Sequence, residues 1–87
     1  MCESLPFRPY KSSDFKWTSN SDKDDWVGLR ETINRTIMLR AEQMDEDWWW
    51  CRAYLNEYDV YEGHARTEMG AKRMALIGLN KYLKSQW

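Results

Sequence analysis

Three consecutive tryptophans, Trp48, Trp49 and Trp50, constrain the fold of this chain more than any other feature of its sequence. They lie in the stretch DEDWWWCRAYL, residues 45–55, directly after a cluster of carboxylates. On a β-strand, neighbouring side chains point to opposite faces of the sheet, so the whole run does not fit into one core. We therefore expect Trp49 to belong to the core and Trp48 and Trp50 to lie on the opposite face.

The composition is that of one small domain with an unusual supply of aromatic side chains. Within 87 residues there are six tryptophans, five tyrosines and two phenylalanines, which provide the apolar area that short chains otherwise lack. Thirteen basic residues balance fourteen acidic ones, for a net charge of −1. This balance argues against a general nucleic-acid binder, which carries a basic excess, and against an all-acidic DNA mimic.

No apolar stretch reaches membrane-spanning length, and no secretory signal opens the chain. Met1 and the short polar start indicate an intact chain, and we expect a cytoplasmic protein with no membrane partner. Cys2 and Cys51 are too few to define a disulfide framework, so reduced thiols are expected.

The first third of the chain is predicted to hold an arm and a short helix. Residues 1–21 contain Pro6, Pro9 and many turn formers, and they are expected to form an extended arm that lays its aromatic rings onto the domain. A single α+β domain is expected over residues 22–87. Its first element is a short helix that begins at Ser21 or Asp22. The apolar and basic side chains at helical spacing are Trp26, Leu29, Arg30 and Ile33. The aromatic side chains of the arm are Phe7, Tyr10, Phe15 and Trp17.

Three strands and a helix are predicted for the remainder of the domain. The strands cover residues 34–42, 48–55 and 58–66, with a tight connection at Asn56-Glu57. Thr67 is placed to cap a helix from Glu68 to about Ser85, whose small residues 71, 75 and 78 let it lie close to the sheet. The expected fold is α+β: a three-stranded antiparallel sheet with the C-terminal helix on one face, in the order α-β-β-β-α.

The stretch WWWCRAYLNEYDVYEGHARTEMGAKRMALIGLNKYL, residues 48–83, resembles the β-β-α half of the double-stranded RNA-binding domain. Gly63 and Ala71-Lys72 echo the glycine, lysine and alanine pattern of that family, and small phage accessory proteins end in a similar unit. The resemblance implies RNA contacts from the start of the last helix. The two family lysines read Glu68 and Met69 here, which leaves Lys72 and Arg73 as the nucleic-acid-binding residues.

No constellation of residues points to catalysis or to a bound cofactor. His64 is the single histidine, and no metal-ligand spacing surrounds it. Cys51 shares strand parity with Trp49 and not with His64, which favours a buried structural thiol over a nucleophile. The acidic turn, Asp45–Asp47, lacks the glycine and the spaced ligands of a calcium loop. We therefore expect no enzyme activity, no cofactor and no metal.

The aromatic run points instead to protein binding. Trp48, Trp50, Arg52 and Tyr54 share one strand face, and this composition is typical of interface hot spots. Neighbouring strands are expected to add Met38, Arg40, Tyr58, Glu62, His64 and Arg66. The flanking carboxylates of Asp45, Glu46 and Asp47 are expected to steer basic partners. The competing interpretation is that the N-terminal arm covers this face, which then has only a structural role.

Two functions follow from these observations. The first is a non-catalytic protein-binding module, such as a phage or mobile-element inhibitor of a host protein. The second is a degenerate nucleic-acid-binding domain that uses Lys72 and Arg73. We favour the first because three carboxylates in the acidic turn repel the phosphates of an RNA duplex. The same aromatic face could also pair with its own copy, so the sequence leaves the oligomeric state open.

Overall fold

The computed structural model describes residues 8–86, within which the chain forms a five-stranded antiparallel sheet followed by a C-terminal helix. The strands are β1 (Lys16–Ser19), β2 (Asp25–Glu31), β3 (Thr36–Asp45), β4 (Trp48–Leu55) and β5 (Tyr58–Ala65), and the helix is α1 (Glu68–Gln86). Each strand pairs with its neighbour in the sequence, in the order β1-β2-β3-β4-β5. A short 3-10 turn, Ser12–Asp14, precedes β1. The expectations for Cys2 and Phe7 lie outside the described residues.

The prediction of a three-stranded sheet behind a short N-terminal helix is wrong. Residues 16–19 and 25–31 form two further strands, so part of the expected arm and most of the expected helix belong to the sheet. Trp26 and Leu29, which matched a helical spacing, point to opposite faces of β2: Trp26 pairs with buried Ala41 and Leu29 with Met38.

Local turn chemistry and tertiary contacts explain why this segment is a hairpin. The polar residues that resembled a helix start form a tight turn, in which Lys23 N–H donates to the Asn20 carbonyl at 3.1 Å and Lys23 has a φ of 60°. The Asn20 side chain donates to Asp24 at 2.6 Å. Gly28 then lies under the ring of Trp17, where a Cβ would be 2.9 Å from ring atoms. Contacts across the hairpin therefore override the weak helical pattern.

The second half of the chain agrees closely with its predicted elements. β4 has the predicted bounds, 48–55, and α1 extends one residue beyond the predicted end. Asn56 and Glu57 have φ values of 50° and 75°, the left-handed conformation that a two-residue hairpin turn requires. The Thr67 hydroxyl accepts a hydrogen bond from Gly70 N–H at 3.0 Å, so Thr67 is the predicted N-cap of α1. Within residues 8–86, no helix is long and apolar enough to cross a membrane.

The helix packs on one face of β3, β4 and β5 through small side chains. Ala71 and Ala75 are fully buried, and the ring of Tyr61 occupies the space where a Cβ of Gly78 would lie. From the sheet, alternate residues of β3 and β4 meet this helix face, and every one of them is buried. They are Ile37, Leu39, Ala41, Trp49, Cys51 and Ala53.

Residues 8–15, which we call the strap, lie on the same side of the sheet as α1. Tyr10 N–H donates to the Asn80 side-chain oxygen at 2.9 Å, and the Asn80 amide donates back to the Tyr10 carbonyl at 3.1 Å. Phe15 is buried in the core and contacts the rings of Tyr10 and Trp17. The aromatic side chains of the strap therefore extend the helix side of the core.

Lys72 of α1 covers the edge of this core that lies over β1 and β2. Its ammonium lies 3.5 Å from the ring centre of Trp26 and 5.2 Å from that of Trp17. Glu68, one turn earlier, accepts a hydrogen bond from the same ammonium at 3.0 Å. The side chain thus covers two aromatic rings with its stem and charge.

Changing Gly78 to Ala should destabilise the protein by about 1–3 kcal/mol, because the added methyl group overpacks the contact with Tyr61. The direction of this change is informative, because a Gly→Ala change in an isolated helix stabilises that helix by about 1 kcal/mol. Urea unfolding followed by far-UV circular dichroism measures the change. Met69→Ala, at an exposed position of the same helix, serves as the control and should have little effect. A Gly78→Ala variant as stable as the parent would contradict the packing.

Changing Lys72 to Ala should lower the free energy of unfolding by about 1 kcal/mol, through loss of the contacts with Trp26 and Trp17. The matched variant Lys81→Ala removes an exposed lysine and should be neutral. Urea titrations followed by tryptophan fluorescence compare the two. Equal stability of both variants would show that Lys72 is not a packing residue.

Candidate protein-interaction surface

The side of the sheet opposite α1 is called the open face, because neither α1 nor the strap covers it within residues 8–86. Its centre is formed by alternate residues of β3, β4 and β5, which the strand pairing places side by side. These residues are Met38, Arg40, Glu42, Trp48, Trp50, Arg52, Tyr54, Glu62 and His64. Trp48 is 49% exposed, whereas Trp49 beside it is 6% exposed. The tryptophan run is therefore divided between the two faces as the strand alternation predicts.

Trp50, Arg52, Tyr54 and Glu62 form one connected cluster. The Arg52 guanidinium carbon lies 3.6 Å from the Trp50 ring centre, and the Trp50 indole N–H donates to Glu62 at 2.8 Å. Arg52 also donates to the Tyr54 hydroxyl at 3.2 Å and lies 3.8 Å from the Glu62 carboxylate. The hydrogen bond with Tyr54, with the nearby carboxylates, raises the pKa of Arg52 above its ordinary value. These contacts hold the aromatic rings in one arrangement.

Two arginines lie directly opposite each other on this face. Arg40 of β3 pairs with Arg52 of β4, a like-charge arrangement that is unfavourable unless it is compensated. Asp25 of β2 compensates Arg40 by accepting two hydrogen bonds, at 3.2 Å and 2.9 Å, and this contact raises the Arg40 pKa. A cavity of about 130 Å³ lies between the arginines, lined by Arg40, Glu42, Trp50 and Arg52.

Trp48 and His64 extend the cluster toward the end of β4. Their ring centres are 5.2 Å apart with the planes tilted by 50°, and His64 is exposed. Of the other side chains expected to join, Tyr58 does not: after a bulge between Ala53 and Tyr54 it pairs with Leu55, and Asp59 lies opposite Tyr54 instead. Arg66 directly follows β5 and is exposed. The aromatic part of the open face thus reaches solvent at Trp48 and His64.

The acidic turn lies at the same end of the sheet. Asp45, Glu46 and Asp47 are exposed, and Asp45 pairs with Trp48 after a bulge in β3. The Asp45 carboxylate accepts a hydrogen bond from Glu46 N–H at 2.7 Å, which shapes the turn. None of the three carboxylates forms an ion pair with another of the described residues. Their negative charge therefore remains available beside Trp48.

Cys51, considered as a nucleophile, and His64, its possible base, lie on opposite faces of the sheet. Cys51 pairs with Gly63 and is fully buried on the helix side, while His64 pairs with Trp50 on the open face. Burial raises the pKa of the Cys51 thiol, which disfavours the reactive thiolate. In the part of the chain that the structure describes, no three His, Cys, Asp or Glu side chains are grouped as metal ligands are.

The alternative nucleic-acid residues lie on the other side of the molecule. Lys72 is held by Glu68 and Trp26, whereas Arg73 is exposed on the outward side of α1. The structure therefore does not bring Lys72 or Arg73 to the open face.

The contact between Asp25 and Arg40 was not predicted from the sequence. The predicted helix start includes Asp25. The one sequence signal that marks β2 as a strand is the alternation of Val27 and Leu29 with Trp26, Gly28 and Arg30. This alternation of side chains between two faces covers few residues and is interrupted by Gly28.

Comparisons of this chain with known protein families, with curated proteins and with solved structures find no match.

Proposed function

We propose that this chain is a small, non-catalytic protein-binding module whose binding site is the open face together with the acidic turn. The observation that carries the proposal is the assembly of Trp48, Trp50, Arg52 and Tyr54 on the sheet face that α1 and the strap leave uncovered within residues 8–86. Tryptophan, tyrosine and arginine are the residues that dominate binding energy at protein interfaces.

The internal contacts of the cluster support a role in binding. Trp50 is held by Arg52 and Glu62, and Arg52 by Tyr54, so few side-chain rotations are lost when a partner docks. A surface that is ordered before association avoids part of the entropy cost of binding. Trp48 supplies the exposed aromatic area that such a site needs.

The charge of the site indicates the chemistry of the partner. Asp25 and Glu62 already pair with Arg40 and Arg52, whereas the acidic turn has no ion pair among the described residues. The turn therefore adds negative charge at the exposed end of the aromatic cluster. We expect a partner with an apolar centre for Trp48 and basic residues for the acidic turn.

Such a module acts by occupying a surface of its partner. A cytoplasmic inhibitor of a host protein, encoded by a phage or a mobile element, is the role that we propose for it. The nucleic-acid alternative has less support because Lys72 is engaged with Glu68 and two tryptophan rings. Pairing of two copies through the open face is a competing outcome, and sedimentation over a range of protein concentrations detects it.

Changing Trp48 and Trp50 together to Ala should weaken partner binding by at least about 2 kcal/mol, the usual scale of interface hot spots. The partner is first isolated from a bacterial lysate by affinity capture, and calorimetric titration then compares the variants. Trp48→Ala alone keeps the Trp50–Arg52 contact and should account for part of the loss. Tyr58→Ala, an exposed aromatic change at the far hairpin, is the control. Loss of folding in both Trp48→Ala and the double variant would leave a purely structural role.

Neutralising the acidic turn with Asp45→Asn, Glu46→Gln and Asp47→Asn should slow association, with a larger effect at low salt. The dissociation rate should change little, because exposed charges act mainly on the rate at which the two proteins meet. Surface plasmon resonance at two ionic strengths separates the two rates. An effect confined to dissociation would contradict the steering role.

A further inference from the structure

The outward side of α1 is a second surface with a different chemistry. It carries both apolar and basic side chains along the helix, and we call it the basic stripe. The residues are Met69, Arg73, Met74, Ile77, Lys81 and Lys84. Met69 is 70% exposed and Ile77 is 48% exposed, so apolar area faces solvent between the cations.

The charges of the basic stripe are uncompensated within the described residues. In Glu68–Gln86 the one carboxylate is Glu68, which pairs with Lys72 at the inner edge of the helix. Arg73, Lys81 and Lys84 form no ion pair with residues 8–86. Although the net charge of the chain is −1, the molecule therefore has a positive side at α1 and a negative end at the acidic turn.

The strap gives the basic stripe a concave shape. It contacts α1 where Tyr10 and Asn80 exchange two hydrogen bonds, and two grooves are lined by residues of both the strap and the helix. One groove has a volume of about 250 Å³ and is lined by Ser12, Glu68, Met69, Lys72, Arg73 and Leu76. The other has a volume of about 540 Å³ and is lined by Pro9, Ile77, Asn80, Lys81 and Lys84. Each groove thus combines apolar side chains with cations, and the first also contains Glu68, whose carboxylate pairs with Lys72.

We propose that the basic stripe is a docking site for an acidic segment of a second protein. Carboxylates of that segment pair with Arg73, Lys81 and Lys84, and its apolar side chains enter the two grooves. Arg73 and Lys81 are eight residues apart, which is about 12 Å along a helix and is within reach of a short peptide. The chain is then bivalent, with a basic partner at the open face and an acidic partner at α1.

The apolar residues of the basic stripe decide between possible anionic partners. Nucleic-acid affinity comes chiefly from neutralising phosphates, to which Met69 and Ile77 contribute nothing, and three cations are few for that purpose. A bilayer presents a broad surface that leaves the grooves beside the strap unfilled. An acidic segment with apolar side chains uses both the charges and the grooves.

The test is an NMR titration of the full ¹⁵N-labelled chain with a synthetic peptide that alternates leucine and glutamate. Amide signals of residues 69–84 should shift, and those of residues 48–54 should not. The same peptide with glutamine in place of glutamate should bind about tenfold more weakly or worse, since the ion pairs are lost.

Charge reversal by Arg73→Glu with Lys84→Glu should cause a similar loss, and Ile77→Glu should do so through the groove. Lys16→Glu reverses a cation on β1 and should leave binding unchanged. The Trp48→Ala and Trp50→Ala variant should also bind the peptide normally, which separates this site from the open face.

Absence of shifts at millimolar peptide, or equal binding of the glutamine peptide, would overturn the proposal. So would shifts confined to residues 48–54. Tighter binding of a duplex oligonucleotide or of phosphatidylglycerol vesicles through Arg73 and Lys84 would also overturn it, by assigning the basic stripe to another class of partner.

Discussion

The Tyr61 ring of β5 packs against the bare backbone of Gly78 in α1, and this contact brings the helix down onto one face of the sheet. Ala71 and Ala75 continue the close approach, so side chains from β3 and β4 are sealed from water. The strap joins on the same side, where Phe15 and the Tyr10–Asn80 hydrogen bonds extend the core. Because α1 and the strap cover only this face of the sheet, Trp48 and Trp50 lie on the uncovered face.

The one-sided core also separates the charges of the chain. Arg73, Lys81 and Lys84 lie on the outward side of α1, while the acidic turn lies at the end of the open face beside Trp48. A protein with little net charge can therefore present surfaces of opposite sign in different directions. The protein-binding role that we propose places a different partner on each of these surfaces.

The sequence predicts the second half of the fold well and the first half poorly, for physical reasons. Strict alternation marks β3 and β4, and the cap at Thr67 marks the start of α1, so local signals agree with the tertiary structure. In β2 the positions of Trp26 and Leu29 match a helical period by coincidence, and pairing with β1 and β3 decides the outcome. Strand parity also places Trp48, Trp50, Arg52 and Tyr54 together. The side on which the strap lies is not readable from the sequence, because its aromatic rings suit either face.

Solvent paramagnetic relaxation of the tryptophan indole N–H signals measures whether the open face is exposed to water in the full chain. A soluble gadolinium chelate broadens the signals of exposed groups, and single Trp→Phe variants assign each signal. We expect strong broadening for Trp48 and little for Trp49, which is 6% exposed. Equal protection of Trp48 and Trp49 in the isolated protein would contradict it, because another part of the chain or a second copy would then cover the open face.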